Sequence, residues 1–420
     1  RGGRGGRRPQ HPRLTATRIL QLCPKVPWPP DDGGRVATRV LALALLRAGA
    51  RVRTLSLNPA KHRVDPGALP EEARPLRLEA IDVDTSVTAA GALKSLLSGT
   101  SYNVERFRSP AYERRLVEIA REEPPDAVLL ESLYMVPYVP ALRAATRAPI
   151  VLRSLNVEHE IWEGLARGHA HAATRFYLAH LARRLRAYEV ATLNDVDAIV
   201  PVTPEDASTY VRLGARVPVH VAPVGVDAAS FPDLAGTGDP RSLVFLGSLD
   251  WRPNVEAVAW FLESAWPLVR AAVPDARFLV AGSSPPAGLG ASVSRSGVRF
   301  LGRVEDSREF LASGAAMVVP LLSGGGIRVK ILEAMALGVP VVSTRLGASG
   351  IDARDGVEIL VADDPGGLAQ ACIGLLADRE RAVALGRAGR ARVREAFDAD
   401  AVGRRLVRFL EQLVPGPGRP

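Results

Sequence analysis

"GAAMVVPLLSGGGIRVKILEAMALGVPVVST", residues 314–344, holds a complete strand, loop, helix and strand in thirty-one residues. The apolar run 314–320 reads as a strand buried on both faces. Glycines 324, 325 and 326 then interrupt the pattern. Helical spacing predicts a helix over Ile327–Leu337, closed by Gly338 and Pro340. A second apolar run, 339–344, follows at once. This order is the βαβ unit of a parallel sheet.

The same rhythm extends in both directions. Runs 17–23, 51–57, 126–132, 149–155 and 197–203 read as one series of strands. Runs 218–223, 242–248, 276–282, 314–320 and 339–344 read as a second, with helical patterns such as 254–272 between them. Two series in one chain predict an α/β protein of two doubly wound, Rossmann-like domains facing across a cleft. The expected division is a basic disordered leader at 1–14, a first domain at 15–210, a second at 211–397 and a terminal helix and tail at 398–420. The joint falls near 205–217. In this class ligands sit at the carboxyl ends of the strands, so the cleft is the expected site.

The glycine loop lies at such a strand end. Glycine lets the backbone pass close to a ligand and aim N–H groups at it. The following helix start attracts anions such as diphosphate. At 100° per residue, Gly326, Lys330 and Glu333 fall near one helix face. Amides, an ammonium and a carboxylate at one place suit a sugar nucleotide, with positive charge for its phosphates and an acceptor for its ribose hydroxyls. The plainer alternative is a tight turn followed by an exposed i,i+3 Lys–Glu pair.

Composition narrows the partners. The 420 residues are 47% hydrophobic and 24% charged, enough for packed cores. No apolar run is long enough to predict a spanning helix. Net charge is +9, nearly all of it arginine; Lys25, Lys61, Lys94 and Lys330 are the only lysines. That balance favours acidic partners. Aromatics are only 5% and are not interleaved with the basic residues, which argues against nucleic acid. Cys23 and Cys372 form no metal-binding spacing, no carboxylate cluster demands a metal, and a reducing cytoplasm is the expected compartment. Residues 175–193 leave two readings open, a basic amphipathic helix on a membrane surface and a solvated arginine face over a packed helix. No early strand is followed by G-x-G-x-x-G, so a nicotinamide enzyme is not expected.

The stretch 324–351 resembles the carboxyl-domain signature of retaining glycosyltransferases of family 4, which have the GT-B fold. "LVFLGSLDWRPNVEAVAWFLESAWPLV" (243–269) resembles that family's strand–loop–helix opening of the nucleotide domain. "FLVAGSSPP" (278–286) and "VRFLGRVED" (298–306) resemble its next strand ends, and 23–52 resembles its amino-terminal glycine loop and first helix. The resemblance spans roughly residues 17 to 410. It implies that Glu333 is the second glutamate of the family's paired motif and binds ribose. Gly325 stands where the first would be, in a GGG-Arg-x-Lys-x-x-Glu variant. Gly33 and Gly34 match the loop that faces diphosphate and acceptor. Asn156 and Glu158 match a His-Asn-x-Glu motif in which Leu155 replaces the histidine, with His159 close by. Ser248 and Pro253 occupy the places of a usual Arg and Lys, leaving Arg252, Arg328 and Lys330 as substitutes. Gly247, Gly324, Gly326, Ser349 and Gly350 complete the expected substrate-binding set, with Lys330, Arg328 and Glu333 as its catalytic core.

The implied activity is transfer of a sugar from a nucleotide-diphosphate donor to a glycan or lipid-linked acceptor, with retention at the anomeric carbon and no cofactor or metal. Cell-surface polysaccharide synthesis is the expected setting, with the protein free in the cytoplasm or peripheral at the inner face of the membrane. Two alternatives stay open: a GT-B-fold sugar-nucleotide epimerase or hydrolase, and a non-catalytic sugar-nucleotide-binding subunit.

Overall fold

Residues 51–59 lie beside 18–23, and both runs are almost wholly buried because the sheet they share is covered on two faces. The computed structural model describes residues 16–86, 101–168, 171–282, 297–324 and 326–414; the predicted leader and Gly325 lie outside them. Six parallel strands form the first sheet: β1 (Arg18–Cys23), β2 (Arg51–Pro59), β3 (Glu79–Val83), β4 (Ala127–Leu130), β5 (Ile150–Ser154) and β6 (Ala198–Pro201), in the order β3-β2-β1-β4-β5-β6. Successive side chains alternate between its two cores. Leu20 and Leu22 join Leu55, Tyr112 and Leu130 on one face, while Ile19 joins Leu41, Leu45 and Val52 on the other.

The second sheet repeats this plan with β7 (Asp239–Leu246), β8 (Arg277–Ala281), β9 (Val298–Gly302), β10 (Gly314–Val319), β11 (Val341–Ser343) and β12 (Leu360–Val361). Its order is β12-β11-β10-β7-β8-β9, again all parallel. The strand order reverses between β1 and β4 in the first sheet and between β7 and β10 in the second. These are the switch points where such folds open a crevice. Both sheets are doubly wound, as the alternating pattern predicts.

Seven helices matter for the site: α1 (Gly33–Arg47), α2 (Glu158–Arg167), α3 (Ala172–Thr192), α4 (Pro204–Arg212), α5 (Arg252–Trp260), α6 (Val329–Leu337) and α7 (Ala399–Leu413). Helix α4 fills the first part of the expected joint at 205–217 and ends at Arg212. Beyond α4, Ile199 pairs with Val219 in a single parallel bridge, so 218–223 extends the first sheet's edge rather than opening the second. The helix predicted over 254–272 contains a wide turn at Phe261–Ala265, followed by Pro267, which has no N–H to give.

Helix α7 returns to the first half. Val402, Leu406 and Leu410 pack into the core that holds Leu41 and Leu45 of α1. A Cβ on Gly403 would stand 2.7 Å from the Ala44 carbonyl oxygen, so only glycine allows this approach. Nearer the strand ends, Ala37 of α1, Val202 and Val224 bury Val329 at the start of α6. Leu155, at the end of β5, and Ile327 pack against the same group. The glycine loop of the second half is thereby held against the strand ends of the first.

Candidate active site

The chain leaves β10 at Val319 and reaches α6 ten residues later. Gly324 and Gly326 have φ of 104° and 75°, in the left-handed region where a side chain is strained. Space forbids a side chain as well. A Cβ on Gly324 would lie 2.8 Å from Trp251 Cη2, and one on Gly326 would overlap Asn156 Oδ1. The loop therefore threads between an indole of the second half and an asparagine of the first.

Arg328 precedes the start of α6, and its side chain makes no capping hydrogen bond to the opening turn. The predicted start at Ile327 is two residues early, because Arg328 sits at φ −88° and ψ 90°, outside the helical region. Its guanidinium carbon stands 5.3 Å from the centre of the Trp251 ring. Burial lowers its pKa to about 10, which still leaves it charged at neutral pH. Lys330 Nζ and Glu333 Oε2 are 2.8 Å apart, with the lysine 40% exposed and the glutamate 13%. The i,i+3 pair of the plainer reading is therefore present. Among the described residues this is the one bond made by Glu333, and its second carboxylate oxygen remains to accept.

Other expected donor residues occupy mixed positions. Gly247 follows β7 and donates its N–H to the Ala281 carbonyl at 3.0 Å. Arg252 holds Glu256 through Nε at 2.5 Å and the Gly168 carbonyl through Nη2 at 2.5 Å, linking the halves at the cleft edge. Both bonds engage the guanidinium that the resemblance offers as a substitute phosphate contact. Gly350 has φ 78° and lies against Thr203, at the start of α4, where a Cβ would come within 2.6 Å of Cγ2. It packs the two halves together, while Ser349 beside it is exposed.

Across the cleft a pocket of about 540 Å³ opens at the carboxyl ends of the first sheet. Gly34, Asn156 and Glu158 line it, as do Lys61, Arg106 and Tyr134, which sequence reasoning did not single out. Gly33 and Gly34 open α1, with the Asp32 carboxylate accepting from the Arg35 amide at 3.0 Å. Under the pocket, Arg153 and Glu131 form a fully buried pair at 2.5 Å, and Gln21 donates to the same carboxylate at 2.7 Å. Burial pushes Glu158 up to about 7, against the opposing bond donated by the Tyr134 hydroxyl at 2.8 Å.

His159 requires a correction. Its imidazole faces inward, with Nδ1 2.7 Å from Glu189 Oε2, and the residue is only 4% exposed. The same buried carboxylate accepts from the Tyr210 hydroxyl at 2.9 Å. His159 joins α2 to α3 and is absent from the pocket lining, because the first turn of α2 rotates it away from Glu158. Trp251 and Tyr134 could have been flagged as aromatic residues just past predicted strand ends; Arg106 carried no such signal.

Helix α3 buries Leu181, Ala182 and Leu185, leaves Arg183 and Arg186 exposed, and exposes Phe176 near its start. Among the described residues no helix is long and apolar enough to cross a membrane, and no group of His, Cys, Asp and Glu is arranged to hold a metal. Cys23 and Cys372 are buried free thiols.

Residues 32–225 match the model of the "Glycosyl transferase 4-like domain", and residues 240–378 match that of "Glycosyl transferases group 1". The chain is 32% identical over 210 residues to a GDP-mannose-dependent monoacylated alpha-(1-6)-phosphatidylinositol monomannoside mannosyltransferase of Corynebacterium glutamicum, covering 45% of this chain and 55% of that protein. It is 36% identical over 213 residues to the phosphatidyl-myo-inositol mannosyltransferase of Mycobacterium tuberculosis, covering 47% and 54%. The chain spans about half the length of the curated relatives it matches. Sucrose-phosphate synthase of Thermosynechococcus elongatus superposes with a TM-score of 0.68 at 19% identity, over 94% of this chain and 99% of that one. Anabaena HepE in complex with UDP-glucose superposes at 0.62 and 16% identity, over 94% and 99%. At those identities the likeness is one of fold.

Proposed function

We propose that this chain, whose two halves match glycosyltransferase models and whose fold is GT-B, is a glycosyltransferase of the GT4 type that moves a sugar from a nucleotide-diphosphate donor to a glycan or lipid-linked acceptor with retention at the anomeric carbon. The observation that carries this reading is the closeness of the two candidate sites. The glycine loop meets Asn156 at Gly326, just before α6, and Asn156 lines the pocket of the first half. A donor seated on the loop would present its sugar to that pocket.

Each residue has a chemical part in this reading. Glu333 accepts from ribose hydroxyls through the oxygen that Lys330 leaves open. The diphosphate lies over the amides around Gly324 and Gly326 and the start of α6. Negative charge grows on it as the glycosidic bond breaks, and the transition state has oxocarbenium character. Groups fixed beforehand to meet that charge lower the barrier most. Arg328, steadied by Trp251, and Lys330 are those groups. Gly33 and Gly34 let the start of α1 approach the same diphosphate from the other side.

The relatives' names contain GDP-mannose and phosphatidylinositol, which supports a lipid-linked acceptor and a setting at the inner face of the membrane. The expected compartment remains the cytoplasm, and cell-surface glycan synthesis the expected setting. A donor panel tests the reading. UDP-, GDP- and ADP-sugars are compared for binding, and the one bound is then tried with lipid-linked and soluble acceptors. Binding followed by acceptor-dependent transfer supports it. Binding without turnover on any acceptor favours a sugar-nucleotide-binding subunit.

A further inference from the structure

The pocket of the first half carries more positive charge than its own carboxylates neutralise. Four cationic side chains line it: Lys25, Arg35, Lys61 and Arg106. Two are engaged locally. Lys25 Nζ lies 2.5 Å from Asp32 Oδ2, and Arg35 Nη1 lies 2.8 Å from Asp31 Oδ1. Among the described residues no carboxylate pairs with Lys61 or Arg106.

Arg106 is also held in place. Its guanidinium carbon stands 5.2 Å from the centre of the Phe107 ring, and that ring stacks on Tyr134 at 4.7 Å. Its Nε is buried and makes no hydrogen bond. The pocket's carboxylates do not answer this charge. Glu131 is taken by Arg153 beneath the floor. Glu158 accepts from the Tyr134 hydroxyl at 2.8 Å, and burial pushes its pKa above the ordinary carboxylate range. Asp84 sits on the exposed rim and accepts from the Ser86 amide at 2.8 Å. His62, on the same rim, is kept below its ordinary pKa by burial and then by the charges of Arg35, Lys25 and Lys61.

We infer that the acceptor carries an anionic oxygen group, a phosphate ester or a carboxylate, held between Arg106 and Lys61 in this pocket. The inference rests on the transfer reading for the word acceptor, though the anion site stands on the geometry alone. A guanidinium gives two parallel N–H donors to either group, and a neutral sugar hydroxyl cannot return the charge.

The test is direct binding to the full chain, without donor. Octyl phosphate, octyl glucuronide, inorganic phosphate and neutral octyl glucoside are each titrated below their micellar concentrations. Octyl phosphate or octyl glucuronide should bind at least tenfold tighter than octyl glucoside, and the advantage should shrink with added salt. Arg106→Gln and Lys61→Gln should each abolish most of it, Arg106→Lys should keep part, and nucleoside diphosphate binding should stay unchanged in all three. If inorganic phosphate matches octyl phosphate, the anion alone carries the affinity; if it binds more weakly, the source is a phosphorylated lipid or glycan. Octyl glucoside binding as tightly as the anions, no anion binding, or unchanged binding by both Gln variants overturns the proposal. Because donor turnover is not read, a failure of glycosyl transfer would overturn the function proposed above and leave this site standing.

Discussion

Glu333 carries the donor reading at the scale of one residue. If its open oxygen accepts from ribose, Glu333→Gln keeps the shape and loses a charge-assisted hydrogen bond worth ~1.5–3 kcal/mol. Affinity for the nucleoside diphosphate should fall roughly tenfold or more, with the melting temperature little moved. Titration calorimetry checks this, and equal affinity in parent and variant removes the role. If Arg328 and Lys330 act on the leaving diphosphate, whose charge is largest in the transition state, each alanine variant should lower kcat more than it raises the donor KM. Steady-state kinetics decide, and a pure KM effect would mean ground-state binding only. Glu158 adds a pH signature. Its carboxyl titrates near 7 in the folded chain instead of its ordinary 4.5, so the folded state binds the extra proton between those values. The stability from this group is full below about 4.5 and is lost as pH rises through about 7. The melting temperature of the parent relative to Glu158→Gln should therefore fall across that window. A constant difference would contradict the buried, protonated carboxyl.

The loop before α6 shows what an element needs from its residues. Gly326→Ala would meet both a left-handed backbone and Asn156 Oδ1. Gly214 has φ 99° and nothing within 4 Å, so Gly214→Ala meets strain alone, about 1–2 kcal/mol. Gly326→Ala should thus lose turnover far beyond its loss of stability, whereas Gly214→Ala loses stability and keeps turnover. Paired melting and donor-turnover measurements separate the two. The long strands and the helix after the glycines were legible because their apolar runs are long and their stops are Gly338 and Pro340. Strand β3, "EAIDV", was not, since its acidic residues hide an edge strand. The run 218–223 reads as a strand and lies along β6, with the His220 and Ala222 amides donating to the Ile199 and Pro201 carbonyls, though only the pair Ile199–Val219 forms a bridge. At the site, the glycines, Lys330 and Glu333 could be read from spacing. Arg106 could not, because Tyr134, whose ring stacks on the neighbouring Phe107 and so fixes the platform for Arg106, comes from a distant segment. The orientation of His159 could not be read from the sequence, because one step along a helix turns a side chain by 100°, here from the pocket side toward Glu189.

Across the whole molecule, the proposed transfer would depend on two sheets presenting their switch points to one another. The apolar contact of Leu155, Ile327 and Val329 keeps the glycine loop near the first half, and α7 ties the end of the chain back onto α1. A donor held between two such surfaces is shielded from water, which is itself an acceptor that a transferase must exclude. The chain is therefore expected to release little free sugar from donor alone and to transfer rapidly once its acceptor is supplied. The most direct measurement incubates the protein with labelled sugar nucleotide, with and without a membrane extract, and determines the anomeric linkage of the product. The account predicts a glycan or lipid product that keeps the donor's anomeric configuration, formed only with the extract. Epimerised or hydrolysed donor, appearing at a comparable rate without any acceptor, would contradict it.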